Sequence, residues 1–334
     1  MVKVGLIGLG AIGRLHFGCW RKSPHATLAA IASRDARKRA GEWPAGEFNL
    51  GDSAAEKVDL AGVTAYAEAE ELIADPQIQI VDICTATPLH APLAIAALRA
   101  GKDVICEKPM ALTLAECEEM EAAVRSSGRQ LMVAHCLRFW PHYGRAFESI
   151  QSGEFGRPLY ARLERSGGAP AWSAEGWLMK PESSGGVLDM HIHDIDVALW
   201  WFGTPRTVTT TGHTPEGLPM IIDTTWDYRG NGPLVQMHGA WDPNGGAFRH
   251  AFRLVLEEAT LVYDLALNPN TLQCYRKGVL TELPVEEPQA HQAELDEFAA
   301  CIDAGKRFDR FTPAQSRESV ELALEEWRQL RVGS

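Results

Sequence analysis

The sequence predicts an α/β protein in two parts: an N-terminal Rossmann domain with a doubly wound parallel sheet, then a second α/β domain built mainly on antiparallel strands. Three observations predict it. Short continuous apolar runs alternate with helical segments from Val2 to about Val133, a glycine-rich turn follows the first run, and beyond about residue 155 apolar and polar residues alternate one by one.

In chain order, VKVGLIG, TLAAIAS, IVDICTA and KDVICEK read as strands, and their unbroken hydrophobicity suits a sheet covered on both faces. Between them IGRLHFGCWRKS, ARKRAGEW, EAEELIAD and APLAIAALRAG read as helices, the alternation of a dinucleotide-binding domain. Further on, PLYARLERS, MIIDTTWDY, PLVQMHGAWD, HAFRLVLEE, TLVYDLAL and TLQCYRK are rich in β-branched and aromatic residues and have one wet face each. RGNGP, DPNGG and NPN supply turns between several of them. HQAELDEFAACIDAG and TPAQSRESVELALEEWRQL close the chain as helices, the second with Thr312 as N-cap and Pro313 in its first turn. The expected division is a dinucleotide-binding domain over 1–123 and a substrate-binding and oligomerisation domain over 124–334.

The 334 residues suffice for two cores, and 46% hydrophobic with 23% charged residues is an ordinary globular composition. A net charge of −12 argues against a nucleic-acid partner. No apolar run approaches the roughly 18 residues of a membrane span, and MVKVGLIGLG enters a strand pattern directly, so the expected place is the cytoplasm, away from membranes. Seven scattered cysteines with no C-x-x-C pair suggest neither a disulfide framework nor a structural zinc site.

GLGAIG contains Gly8, Gly10 and Gly13, with Ala11 and Ile12 opening the helix. These glycines permit a tight turn, close approach of a pyrophosphate and close helix packing, while the helix N-terminus receives negative charge. About 20 residues beyond, where an acidic residue grips the ribose of NAD, stand Ser33 and Arg34. A hydroxyl beside a guanidinium suits a 2′-phosphate, which favours NADP. Asp35 keeps NAD open, and a solvated Arg34 is the plain alternative.

Glu107, Lys108 and Pro109 lie just past a strand's carboxyl end, where open α/β sheets bind ligands. There Lys108 is placed to donate to a reacting oxygen, against the plain reading of an ion-paired loop. In GGVLDMHIHDID, residues 185 to 196, apolar residues Leu188, Ile192, Ile195, Leu199 and Phe202 recur at helical steps. At roughly 100° per residue, Asp189, His193 and Asp196 share one face, whereas His191 sits about 160° from His193. That spacing denies an H-x-H metal site and leaves metal outside the expected site. Oxidising a carbinol needs a base working near neutral pH, so His193 is the expected acid/base and Asp189 the group keeping it in register with substrate. The alternative is a structural pair of His193 with Asp196.

With GLGAIG, TPLHAPLAIAALRAGKDVICEKP, CEKPMALTLAE, and Gly185-Gly186, Asp189, His193 and Asp196 in order, the chain resembles the Gfo/Idh/MocA family over essentially its whole length. The resemblance implies a Rossmann domain followed by an α/β domain on a large open, mainly antiparallel sheet. It implies oxidation or reduction of sugars, inositols and related polyols with NAD or NADP, and a homodimer or homotetramer formed through that sheet. Lys108, Asp189 and His193 match the family's lysine, substrate-contacting aspartate and acid/base histidine. Thr85, Pro88, His90, Glu107 and Lys108 would join the glycine loop around the cofactor. Two positions depart from the pattern: His191 replaces a frequent glycine, and either reaches substrate or fills space; Thr87 replaces a frequent proline. In the preceding loop, Trp172 and Trp177 offer aromatic faces to a sugar ring, or pack in the core.

Two rival functions follow from the same residues. Redox-assisted glycoside hydrolysis would proceed without net NADH production. A dinucleotide-binding regulator without chemistry would have no need of Lys108, Asp189 and His193 together.

Overall fold

The computed structural model describes residues 1–45, 54–170, 173–183, 185–230, 232–287 and 289–332. The chain forms two compact units: Met1–Cys136 with His291–Val320, and Leu137–Ala290 with the residues from Glu321 onward. The expected boundary after residue 123 falls inside a helix of the first unit, because one more strand and one returning segment, His291–Val320, belong with that unit.

In the first unit, β1 (Val2–Ile7), α1 (Ala11–Trp20), β2 (Ala26–Ala32) and the short α2 (Ala36–Arg39) open the fold. Then follow β3 (Glu42–Trp43), β4 (Glu56–Lys57), β5 (Thr64–Tyr66), α3 (Ala69–Ala74), β6 (Ile80–Ile83), α4 (His90–Arg99), β7 (Asp103–Glu107), α5 (Leu114–Ser127) and β8 (Leu131–Ala134). Six strands pair in the order β5-β2-β1-β6-β7-β8, all parallel. Every residue of β6, β7 and β8 is buried, as continuous apolar strands covered on both faces require. The helix expected over ARKRAGEW stops at Arg39. Gly41 adopts φ +78°, and a Cβ there would lie 2.3 Å from the Val58 carbonyl oxygen, so the chain turns into β3 instead.

The second unit contains α6 (Pro141–Ser152), β9 (Pro158–Gly168), α7 (Ile192–Phe202), β10 (Thr207–His213), β11 (Ile221–Asp227), β12 (Leu234–Asp242), β13 (Arg249–Leu256), β14 (Thr260–Asp264), β15 (Leu272–Arg276) and β16 (Val279–Leu283). Its eight strands run in the order β10-β11-β12-β9-β13-β14-β15-β16, antiparallel throughout except where β12 lies parallel to β9. The chain closes with α8 (Ala290–Asp303) and α9 (Pro313–Val332). At the start of α9, Thr312 and Gln315 cap each other: the Gln315 N–H donates to the Thr312 hydroxyl and the Thr312 N–H to the Gln315 side chain.

The large sheet's buried face carries Leu163, Trp226, Met237, Trp241, Phe252 and Leu254. Its other face is polar, with Tyr160 donating to Gln236 at 2.8 Å and His238 paired with Asp223 at 2.9 Å. Trp226, Trp241 and Phe252 are therefore core residues.

Candidate active site

The glycine loop of the first unit assigns a separate task to each glycine. Gly8 has φ +95°, and a Cβ there would lie 2.2 Å from the Cys84 carbonyl oxygen; one on Gly13 would lie 2.0 Å from the Gly8 carbonyl oxygen. Gly10, the N-cap of α1, has nothing within 4 Å of its Cβ position. The first two positions therefore need a bare backbone for packing, while the third leaves open space before the N–H groups of Ala11 and Ile12. That cradle fits a pyrophosphate.

At the end of β2, Ser33 is half-buried and Arg34 exposed. The Asp35 carboxylate is occupied in capping α2, accepting the Arg37 N–H at 2.9 Å, and that bond holds its pKa below the ordinary range. Cations surround it. Lys38 Nζ donates to the Leu9 carbonyl of the glycine loop at 2.9 Å, and Arg39 donates to the Ser33 carbonyl at 2.6 Å. Sequence reasoning passed over Lys38 and Arg39, although the run ARKR was visible.

The Thr85–His90 segment and the Glu107–Lys108–Pro109 turn are tied together. His90 is buried, with Nδ1 2.8 Å from the Pro109 carbonyl oxygen and Nε2 3.1 Å from that of Thr85. Burial keeps its pKa below the ordinary value, so the neutral ring donates to one carbonyl at a time. His90 thus braces the two loops from within and presents almost no surface to a cofactor, a correction to the expected direct contact. Thr85 and Pro88 stay half-buried, with Thr87 and Pro88 starting a single 3₁₀ turn. The Lys108–Pro109 peptide is cis.

Glu107 also faces inward. One carboxylate oxygen accepts the Lys108 backbone N–H at 3.1 Å, and the other lies 3.2 Å from His16 Nε2. His16 Nδ1 in turn meets Asp82 at 2.9 Å, and the Trp20 indole N–H donates to that same carboxylate at 2.7 Å. From Lys102 to Ala111, Lys108 is the one side chain that is not buried.

In the second unit, the stretch from Gly185 to Asp196 is not a uniform α-helix. Gly185 has φ +53° and packs so closely on Leu218 and Pro219 that any Cβ would come within 2.9 Å of both. Val187–His191 then forms a π-helical turn that leads into α7. Such wide turns cluster at functional sites. From Gly185 to Leu199 every residue is buried except Asp189 and His193.

Asp196, Asp194 and His191 are buried beside charged partners. Arg138 donates to both carboxylate oxygens of Asp196, at 2.8 and 2.9 Å, with both residues buried. Asp194 pairs with Arg165 at 3.2 Å. His191 lies 3.0 Å from Glu326 of α9, which also accepts from Thr224 and from the Trp226 indole. A Cβ on Gly239 would stand 2.9 Å from the His191 ring, so β12 needs glycine there. With 0% exposure, His191 fills space and has no surface for a substrate. Trp177 is half-buried in a 3₁₀ turn, Ala174–Met179, while Trp172 lies outside the described residues.

Burial pushes the His191 pKa down, but the Glu326 charge outweighs it and holds the pKa above 6.5. A raised folded-state pKa adds stability in full below the unfolded value, and that contribution is lost as pH rises through the folded value. The stability advantage of the unaltered protein over Glu326→Gln should therefore shrink as pH climbs above about 6.5. Thermal unfolding across pH 5.5–9 measures it, and an advantage that does not change with pH would show the ring to be neutral throughout.

Residues 2–135 match the family described as an oxidoreductase family with an NAD-binding Rossmann fold, and residues 143–262 match the GFO/IDH/MocA C-terminal domain. The myo-inositol 2-dehydrogenase of Thermotoga maritima is 32% identical over 204 residues, covering 60% of this chain and 55% of that protein. The 1,5-anhydro-D-fructose reductase of Ensifer adhaerens is 41% identical over 129 residues, 38% of each protein. The chain spans about half the length of the curated relatives it matches. A levoglucosan dehydrogenase solved in complex with NADH shares the fold, with a TM-score of 0.85 at 22% identity, covering 100% of this chain and 98% of that one. Matched in both domains and in their order, this chain belongs to the GFO/IDH/MocA family of NAD(P)-binding oxidoreductases.

Proposed function

We propose that this protein is an NAD(P)-dependent oxidoreductase acting on a carbinol or carbonyl carbon of a sugar, inositol or related polyol. One observation carries the reading: Lys108, Asp189 and His193 are each partly exposed within runs of otherwise buried residues. Core packing has no use for a lysine, an aspartate and a histidine left open at those points, whereas proton chemistry needs them accessible.

When bound, the nicotinamide supplies the hydride acceptor or donor. Lys108 donates a hydrogen bond to the reacting oxygen and stabilises negative charge there. His193 takes the hydroxyl proton during oxidation and returns it during reduction, while Asp189 holds substrate and histidine in register. The half-buried Trp177 offers its ring face to the apolar side of the sugar. An assay of aldoses, inositols and anhydrosugars, following reduced nicotinamide with both cofactors, tests this; no turnover with any of them would count against it.

We further propose NADP as the preferred cofactor. Asp35 is occupied with its helix cap, and Arg34, Arg37, Lys38 and Arg39 crowd the place of a ribose phosphate. Arg34→Ala and Lys38→Ala should each weaken NADPH about tenfold more than NADH, the equivalent of one charge-assisted contact. Equal losses in a fluorescence titration would remove the phosphate clamp.

The polar face of the large sheet is the surface proposed for self-association, and a monomer in sedimentation velocity at micromolar concentration would exclude it. All seven cysteines are free thiols, which supports a cytoplasmic, reducing location.

A further inference from the structure

We propose that His16 is a positioning residue for the Glu107–Lys108 turn, tying the helix that receives the dinucleotide to the lysine that works on the substrate oxygen. The inference rests on the oxidoreductase reading above for its functional meaning, and on geometry for its existence.

His16 sits in α1, the helix opened by the glycine loop, and has 0% exposure. One ring nitrogen is held by Asp82 of β6 and the other faces Glu107 of β7. Glu107 then accepts the Lys108 backbone N–H. The chain of contacts therefore runs from the cofactor helix, through one imidazole, to the backbone of the candidate catalytic lysine. No other described contact of Glu107 crosses from the sheet to α1.

The charges agree with the geometry. Burial disfavours a charged ring, but Cys84 and Asp82 outweigh it and hold the His16 pKa well above 6.5. Burial likewise works against the Glu107 carboxylate, and His16 pulls its pKa below the ordinary value. Burial raises the pKa values of Cys19, Cys84 and Glu294, and it lowers that of His291 of α8 to about 4. His16 thus stands between the carboxylates of Asp82 and Glu107, a clamp rather than a passive core side chain. Its Nε2 lies 3.2 Å from Glu107, and Nδ1 lies 2.9 Å from Asp82.

The two ring nitrogens can be tested separately, because a glutamine amide reaches where Nε2 stands and an asparagine amide where Nδ1 stands. His16→Gln keeps a donor toward Glu107, and His16→Asn keeps only the one toward Asp82. Hydrogen exchange at the Lys108 amide, with and without NADPH, reads the turn directly. His16→Asn and Glu107→Gln should speed exchange at Lys108 by about tenfold beyond any change in the β1 amides, the low end of the loss caused by removing a supporting group. His16→Gln should lie near the unaltered protein. In fluorescence titration, NADPH affinity should change little in all three variants, while turnover of the best sugar or polyol substrate falls about 10- to 100-fold in His16→Asn.

Parallel acceleration of the Lys108 and β1 amides would make His16 a general core residue and overturn the proposal. Equal behaviour of the Gln and Asn variants would also overturn it. If the unaltered protein binds neither NADPH nor NADH, the oxidoreductase reading fails, while the exchange comparison still decides whether His16 holds the turn.

Discussion

Replacing His193 by alanine should lower turnover by about 10²- to 10⁴-fold, the usual contribution of a positioned general acid or base. That is about 3–5 kcal/mol of barrier, and it should appear without loss of NADPH affinity. The proposed acid/base residue, His193, sits on α7 of the second unit, whereas the glycine loop proposed to receive the pyrophosphate is in the first. A substitution on α7 touches none of the glycine-loop residues. Lys108→Ala should give a comparable loss for a different reason, since it removes charge stabilisation from the oxygen rather than proton transfer. The pH profiles separate the two roles: His193→Ala should flatten the acidic limb of carbinol oxidation, and Lys108→Ala should keep it. Undiminished turnover in either variant would remove that residue from the site.

Much of this was readable from residues alone. The continuous apolar strands VKVGLIG and KDVICEK suit a covered parallel sheet, and GLGAIG suits the opening of a helix beside them. The edge strands β10 and β16 were hidden because neither buries a face: Thr207–His213 and Val279–Leu283 are largely exposed, so no alternation marks them. The parallel pairing of β12 with β9 was hidden as well, since alternation records which face is wet and not which neighbour is bonded.

At the site, exposure separated residues that periodicity had grouped. Helical phase placed Asp189, His193 and Asp196 on one face, but it could not see that Arg138 takes both oxygens of Asp196. It also could not foresee the π turn at Val187–His191, which follows the close packing of Gly185 against Pro219. His191 has its partner, Glu326, in the last helix, beyond the reach of any local pattern. His90 and Glu107 lie in the loops the motifs marked, yet both turn inward as braces, a distinction of side-chain direction that motif spacing does not hold.

The counterpart of the His193 experiment lies three residues further along the same helix. Asp196→Ala should destabilise the protein by about 3–5 kcal/mol, because it leaves the Arg138 guanidinium buried without its counter-ion. Both side chains are almost wholly enclosed, at 2% and 1% exposure, so water cannot replace the lost partner. Asp196→Asn should cost less, as one amide oxygen still accepts from Arg138. For a unit of this size the alanine variant should unfold about 6–20 °C lower. Its turnover per folded molecule, counted by NADPH titration, should stay within about threefold of the unaltered protein, since a structural pair acts on how much enzyme is folded and not on the barrier. The two substitutions thus dissociate: His193→Ala loses rate and keeps its unfolding temperature, and Asp196→Ala does the reverse. If Asp196→Ala instead lost turnover at an unchanged unfolding temperature, its carboxylate would be the group that orients His193, and the ion pair with Arg138 would be secondary.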